Sequence, residues 1–181
     1  MNRHGPWMVT RSGLQYFFLC PDPSMITIGD IAHHLSRLNR FNGASERPYN
    51  VAQHSILVAQ NVPPEYALCG LLHDAHEAYI GDLISPLSAC PGVKEALAPL
   101  KSLADKAICQ TFGIEIGLWN AAKLHVKTAD RRILATEIRD LIHGKSWSDL
   151  INPYDRKVEP WGCDRAKREF LALFAELDAR P

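Results

Sequence analysis

Five consecutive residues, His73-Asp74-Ala75-His76-Glu77, constrain this chain more than any other stretch. They close a strongly apolar helical run, Ala67-Leu68-Cys69-Gly70-Leu71-Leu72. Three kinds of metal-capable or proton-transferring side chain thus fall within five positions. A continuous α-helix turns about 100° per residue, so His73 and Glu77 lie on nearly one face. His73 and Asp74 diverge by one such step, and both reach one ion only if it sits beside that edge of the helix. Its remaining ligands must come from other segments, which have to fold against this one. A polar helix end at the surface is the plainer alternative, since a His-Asp pair recurs by chance. Inward-facing ligands elsewhere in the chain decide between the two.

Residues 7–10 and 14–18 read as two short strands around Arg11-Ser12-Gly13, a turn-like tripeptide. Thr27-Ile28-Gly29-Asp30 reads as a helix start, followed by an amphipathic run through Leu38. His33 and His34 within it have no third ligand at a useful spacing and are expected to be ordinary helix residues. A polar connection carries Arg37, Arg40 and Arg47, and the next helix starts at Asn50, a good N-cap residue. His54, three residues after Val51 and four before Val58, points with that helix's apolar face. Pro63-Pro64 opens the helix that carries the five residues and ends near Gly81-Asp82. A further helix covers about residues 93–112, with Pro99 near its start as a candidate kink and Gly113 as its stop.

Residues 117–143 form the longest periodic run, with Leu118, Ala122, Leu124, Ala129, Ile133 and Leu134 among its apolar positions. Asp130 lies four residues after Val126 and three before Ile133, on the apolar face. A carboxylate there needs a cationic partner, either Arg or Lys or a metal ion, because an unpaired buried charge is very costly. Residues 144–162 read as a loop holding Trp147 and Trp161, and a last amphipathic helix covers about residues 164–178. The expected fold is all-α, a helical bundle with a small N-terminal β-hairpin. At 181 residues it is expected to be one domain, with a core over about residues 28–143 and the hairpin and C-terminal helix packed on it.

Charge narrows the partners. Lys+Arg and Asp+Glu both number 20, which gives no basic footprint for duplex nucleic acid or an anionic membrane. No stretch approaches the ~20 apolar residues of a membrane span, and the N-terminus has no long apolar run. The five cysteines are widely spaced with no Cys-x-x-Cys pair, so a zinc ribbon or redox motif is not expected. Cys69 and Cys109 sit in apolar helical patterns as core thiols, and the reducing cytoplasm is the expected compartment. A homo-oligomer is left open.

The inward-facing polar residues are His54 on one helix, His73 and Asp74 on the next, and Asp130 on the long one. Two imidazoles with two carboxylates suit one divalent transition metal (Mn, Co, Zn, Fe or Ni) better than Ca or Mg. The alternative is a polar core in which His54, Asp74 and Asp130 satisfy one another.

This order, His…His-Asp…Asp across helices, resembles the HD-domain phosphohydrolase superfamily. Four stretches look like successive signatures of its bacterial 5′-deoxynucleotidase branch: Asn50-Val51-Ala52-Gln53-His54-Ser55, Leu71-Leu72-His73-Asp74-Ala75-His76-Glu77, Gly81-Asp82-Leu83-Ile84-Ser85-Pro86 and Lys127-Thr128-Ala129-Asp130. Together with Arg40-Phe41 they span roughly residues 38–140. The resemblance implies an HD-domain bundle in which His54, His73, Asp74 and Asp130 bind the metal. It implies that Glu77 is the acid/base residue and that Asp82 lies at the catalytic centre. Arg40-Phe41 matches an Arg-Trp pair that contacts phosphate and sugar in that family, with Phe41 in place of the Trp. Ser85 is a further candidate phosphate donor.

The implied function is metal-dependent hydrolysis of (deoxy)nucleotides, as a 5′-nucleotidase-type phosphomonoesterase with a small nucleotide as substrate. A related phage group hydrolyses deoxyadenosine triphosphate on the same scaffold, and the segment joining Arg40 to His54 is short for the nucleotidase branch. The alternative is therefore a triphosphohydrolase releasing tripolyphosphate, for which Arg47, Lys94, Lys127 and Arg131 are candidate extra cations. From another class, a catalytically silent HD-fold nucleotide-binding protein is the alternative.

Overall fold

The helix starts marked in the sequence are fixed by side-chain caps. Thr27 is extended, and its hydroxyl accepts the Asp30 N–H at 3.1 Å to open α1 (Ile28–Leu35). Asn50 opens α2 (Val51–Ala59) in the same way, accepting the Gln53 N–H at 3.0 Å. Each cap satisfies an N–H that a helix start leaves without a partner. The computed structural model describes residues 5–143 and 152–179. They are mostly helical: α3 (Ala67–Leu72), α4 (Glu77–Ile80), α5 (Ser85–Ser88), α6 (Val93–Thr111), α7 (Ile116–Leu141) and α8 (Cys163–Asp178) follow.

The sheet among the described residues is the expected hairpin. β1 (Trp7–Val9) runs antiparallel to β2 (Gln15–Phe17), with Met8 opposite Tyr16. The hairpin is tied to the helices at three points. Asp30, buried in the first turn of α1, accepts the Ser12 N–H at 2.8 Å and the Ser12 hydroxyl at 2.6 Å. His34 donates from Nδ1 to the Ala78 carbonyl at 2.6 Å and accepts the Arg11 N–H at Nε2, 3.1 Å. Tyr16 stacks on Tyr79 with ring centroids 3.9 Å apart. Both nitrogens of His34 are therefore used in packing, in line with its reading as an ordinary helix residue.

All nine residues of α2 are buried, where the sequence pattern indicated one apolar face. The reason is its position, since α1, α3, α7 and α8 all pack on it. Its polar Gln53 is satisfied by the segment leading into α8, donating to the Glu159 carbonyl and accepting the Trp161 N–H, both at 2.8 Å. The approach of α3 to α2 depends on Gly70. A Cβ on Gly70 would lie 3.0 Å from the Ala59 Cα and 3.3 Å from its nitrogen.

The helix expected from Pro63-Pro64 to Gly81 is broken in its middle. The Ala75 and Glu77 N–H groups donate to the Leu72 and Asp74 carbonyls, both at 2.9 Å, and Ala78 donates to Ala75 at 3.2 Å. These bonds reach three residues back instead of four, as in a 3₁₀-helix with about three residues per turn. In α7 the buried stripe is Ala122, Val126, Ala129 and Ile133. Leu124 lies off it and is 73% exposed, while Leu118 lies on it but beyond the core, at 39%. Both were read as apolar positions of the periodic run. Trp147 and the rest of residues 144–151 lie outside the described residues. Residues 152–162 are pinned, with Arg132 donating to the Asn152 carbonyl and the Tyr154 N–H donating to Thr136. Cys69 and Cys109 are buried free thiols. No helix among the described residues is long and apolar enough to cross a membrane.

Candidate metal centre

Three helical segments meet at one point: α2 brings His54, the end of α3 brings His73 with Asp74 beside it, and α7 brings Asp130. His54, His73 and Asp130 each offer a ligand atom within 4.8 Å of the others. Asp74 joins them, its Oδ2 lying 3.1 Å from His73 Nε2 and 3.7 Å from His54 Nε2. The four residues proposed from the sequence are therefore brought together.

The other nitrogen of each ring fixes its proton. His73 Nδ1 lies 2.8 Å from the Gly70 carbonyl, which only accepts, so Nδ1 carries the hydrogen. His54 Nδ1 lies 2.7 Å from Glu137 Oε1. That carboxylate also accepts from the Tyr49 hydroxyl at 2.7 Å and from Arg40 Nε at 3.2 Å, and Arg40 Nη2 forms an ion pair with it at 3.1 Å. Burial alone would raise the Glu137 pKa, but Arg40 and His54 outweigh it and hold it below the usual value. An ionised Glu137 makes His54 Nδ1 the donor. Both Nε2 atoms are then lone pairs, and both are buried without a hydrogen-bond partner. Yet His54 Nε2 lies 3.1 Å from Asp130 Oδ1, and His73 Nε2 is as close to Asp74. Two acceptors at that distance need something positive between them.

A second proton on each ring is one remedy. Burial and Arg40 lower the His54 pKa, and Glu137 and Asp130 outweigh them to lift it to about 9. That remedy sets two imidazolium rings against each other with centroids 5.4 Å apart. One divalent cation relieves both contacts without this repulsion, and the nitrogen and oxygen donors suit a transition metal. A carboxylate behind a metal-facing histidine, as Glu137 stands behind His54, fixes its tautomer and raises its basicity.

Glu137 was not found from the sequence. The available signal was its spacing, seven residues after Asp130 and so two turns along the same face of α7. The other candidates are distributed as follows. Glu77 is 6% exposed, and its Oε2 is buried with no partner. Burial and then the charges of Asp74 and Asp82 push its pKa up to about 10. The tight turn groups Glu77 with Asp74 and His76, whereas a continuous helix would have set it under His73. Asp82 is half-buried after α4, and burial raises its pKa. Arg40 is buried and anchored on Glu137, with its charge also acting on Asp74 and Asp130. Phe41 is half-buried, its ring 5.4 Å from the Arg40 guanidinium. Ser85 is exposed on α5.

The loop that holds Arg40 is closed by backbone bonds from Arg40 N–H to the Tyr49 carbonyl (2.8 Å) and from Val51 N–H to the Leu38 carbonyl (3.1 Å). Phe41 and Asn42 take left-handed φ values of 58° and 50°, a conformation costing a non-glycine residue roughly 1–2 kcal/mol. Arg40 and Tyr49 thus leave the two ends of one short loop and converge on one carboxylate.

No protein-family model matches the chain. It is 39% identical over 132 residues to "Uncharacterized protein YfdR" of Escherichia coli (strain K12), covering 73% of this chain and 70% of that one. It is 34% identical over 133 residues to "Uncharacterized protein RCAP_rcc00048" of Rhodobacter capsulatus, covering 68% and 67% respectively.

Proposed function

The chain belongs to the family that includes YfdR and RCAP_rcc00048, and we propose that it is a divalent-metal-dependent HD-domain phosphohydrolase acting on (deoxy)nucleotides. The observation that carries the reading is the pair of buried, partnerless Nε2 atoms of His54 and His73, each 3.1 Å from a carboxylate oxygen. Those two histidines with Asp74 and Asp130 would hold the ion, leaving positions for water and a phosphoryl oxygen. A bound ion supplies Lewis acidity and lowers the pKa of water. Burial and the charges of Asp74 and Asp82 keep a proton on Glu77 in the ion-free site; a bound ion would offset those charges and free its carboxylate to take the proton of the attacking water or to orient it. Asp82 shares proton transfer at the leaving group. Arg40 faces phosphate charge through the guanidinium edge that Glu137 leaves, since those contacts use Nε and Nη2. Phe41 packs on sugar or base beside it.

The cations favour a monophosphate and hence the 5′-nucleotidase form. Lys94, Lys127 and Arg131 are exposed, and Arg47 reaches the Pro160 carbonyl at 3.4 Å. Lys101 on α6, half-buried, does act on Glu77 and Asp82. Arg40 and Lys101 together match one phosphate better than three.

The test is phosphorus NMR of dAMP and dATP incubated with the protein and Mn, Co or Zn. Inorganic phosphate from dAMP is the expected product. Tripolyphosphate from dATP with dAMP untouched would replace the assignment by a triphosphohydrolase. No hydrolysis of either nucleotide by metal-loaded protein would leave a silent nucleotide-binding protein instead.

A further inference from the structure

We propose that the groove between the hairpin and helices α1 and α4 binds a small organic phosphate, with its oxyanion on Arg11, His33 and Arg37 and its carbon part on Met8, Val9 and Leu38. The groove measures about 510 Å³, within the range of roughly 300–1,000 Å³ that small-molecule sites occupy. The site needs neither a metal ion nor the proposed reaction.

His34 fixes the three walls of the groove. Its ring donates from Nδ1 to the Ala78 carbonyl and accepts the Arg11 N–H at Nε2, which ties α1 to α4 and to the hairpin turn. Walls held in this way are in place before a ligand arrives, so binding costs little ordering. The cations along the groove lack acids to answer them. Asp30, the carboxylate next to the turn, is taken by the N–H and the hydroxyl of Ser12. Glu77 is the one acidic residue among the described residues that line the groove. Its carboxyl group lies within 4.8 Å of ligand atoms on Asp74 and His76, and the cations that act most on it are Arg40 and Lys101. Arg37 reaches Asp164 only at 3.4 Å, and that aspartate side chain is 95% exposed, where an ion pair is worth little. Among the described residues, the Arg11 guanidinium and the His33 ring make no hydrogen bond or ion pair. Burial is the first cause that lowers the His33 pKa, and the charges of Arg37 and Lys167 follow. An oxyanion seated among these groups relieves that repulsion. Guanidinium forks match phosphate oxygens in pairs, and three donor side chains suit the three oxygens of a phosphate better than the two of a carboxylate. The carbon part follows from the rest of the lining. Met8 and Leu38 are half-buried and Val9 is 60% exposed, so apolar surface is left open beside the cations.

Isothermal titration calorimetry of the full chain with phenylphosphonate, in the presence of a chelator, tests the groove alone. This ligand cannot be hydrolysed, and no ion is present to draw it to His54 and His73. Wild type should bind one molecule. Arg11→Gln and Arg37→Gln should each weaken binding ~10-fold. Inorganic phosphate, which lacks the carbon part, should bind ~10-fold more weakly than phenylphosphonate, and benzoate should also bind more weakly. Both arginines are exposed, so the variants should melt as wild type does. A wild type that does not bind would overturn the site whatever the variants do. An affinity that neither variant changes would overturn it as well, by putting the ligand elsewhere. Inorganic phosphate bound as tightly would remove the apolar half of the site, and benzoate bound as tightly would remove its choice of phosphate. Binding to phosphatidic acid vesicles with none to phenylphosphonate would replace the small ligand by a lipid surface. Hydrolysis of dAMP with Mn(II) is a separate measurement, so either reading can fail without the other.

Discussion

Glu137 contributes to the candidate centre without touching the position of an ion. Its carboxylate takes three hydrogen bonds and a further ion-pair contact from Arg40 in a fully buried place, and one of the hydrogen bonds decides which nitrogen of His54 is bare. Glu137→Gln keeps the volume but removes the charge that holds the His54 hydrogen on Nδ1 and balances Arg40. Metal affinity should fall by ~10–100-fold, read by competition with a chelating dye. An unchanged affinity would mean that the His54 tautomer is set elsewhere. Glu77→Gln should behave differently. It should keep the ion held by His54, His73, Asp74 and Asp130, with little change in substrate affinity, while kcat drops by roughly 10²–10⁴. A near-normal kcat would move the base assignment to Asp82. His54 and Asp130 were legible in the sequence because each interrupts an apolar face at helical spacing. Glu137 obeys the same spacing, but its meaning lies in Arg40 and Tyr49, which reach it from 97 and 88 residues away. Arg40 was legible as a residue of the site, and its partner was not.

The helix starts were readable because Thr27 and Asn50 act locally, each bonding an N–H three residues on. The break at residues 73–76 was not, since no glycine or proline marks it. Its tight turn is set by where the side chains are held. His73 is fixed to Gly70, and His76 to Asp105 on another helix. The same segment depends on the close contact at Gly70. Gly70→Ala presses a methyl on the backbone of Ala59, which cannot rotate away, and on Val62 Cγ2 at 3.2 Å. Forced overpacking of this kind costs about 1–3 kcal/mol, so the variant should melt earlier and bind metal more weakly, as α3 is pushed from α2. Gly29→Ala is the control, since its Cβ meets only Thr27 Oγ1 at 3.9 Å. Equal melting temperatures for the two variants would dismiss the packing argument. The hairpin is held by a titratable tie. Burial would raise the Asp30 pKa, but bonds from Ser12 and Thr10 outweigh it and bring it below the usual value. A lowered folded pKa contributes stability that is complete above the unfolded value, about 3.9 for Asp, and is lost as pH falls through the folded one. The melting-temperature gap between wild type and Asp30→Asn should therefore be constant near neutral pH and close in acid. A gap that widens in acid would refute the tie.

At the scale of the molecule, the candidate ligands are distributed so that an ion would clamp it. His54 is on α2, His73 and Asp74 follow α3, and Asp130 is on α7, and these three helices pack on one another around the buried core. Helices α1 and α8 cover the rest of α2, and the hairpin is tied to α1 and α4 at their edge. The mostly helical character with one hairpin was legible in the chain, because the 3.6-residue periodicity and the caps act along it. The full burial of α2 was not, because it results from which helices surround it. A ligand that binds only the folded state raises stability by RT ln(1 + [L]/Kd), about 2.7 kcal/mol at a hundredfold excess over Kd. The bare folded protein must hold like charges together, with carboxylates balanced by two neighbouring imidazolium rings, so removing the ion should cost stability as well as activity. We expect the melting temperature of wild type to rise with Mn(II) concentration and to fall on adding a chelator. Asp130→Asn loses one ionic donor and one repelling charge together. It should melt at or above the chelated wild type, and Mn(II) should move it far less. A chelator-insensitive wild type, or an Asp130→Asn variant that responds to Mn(II) as wild type does, would leave the four residues as a polar core whose charges answer one another by protons alone.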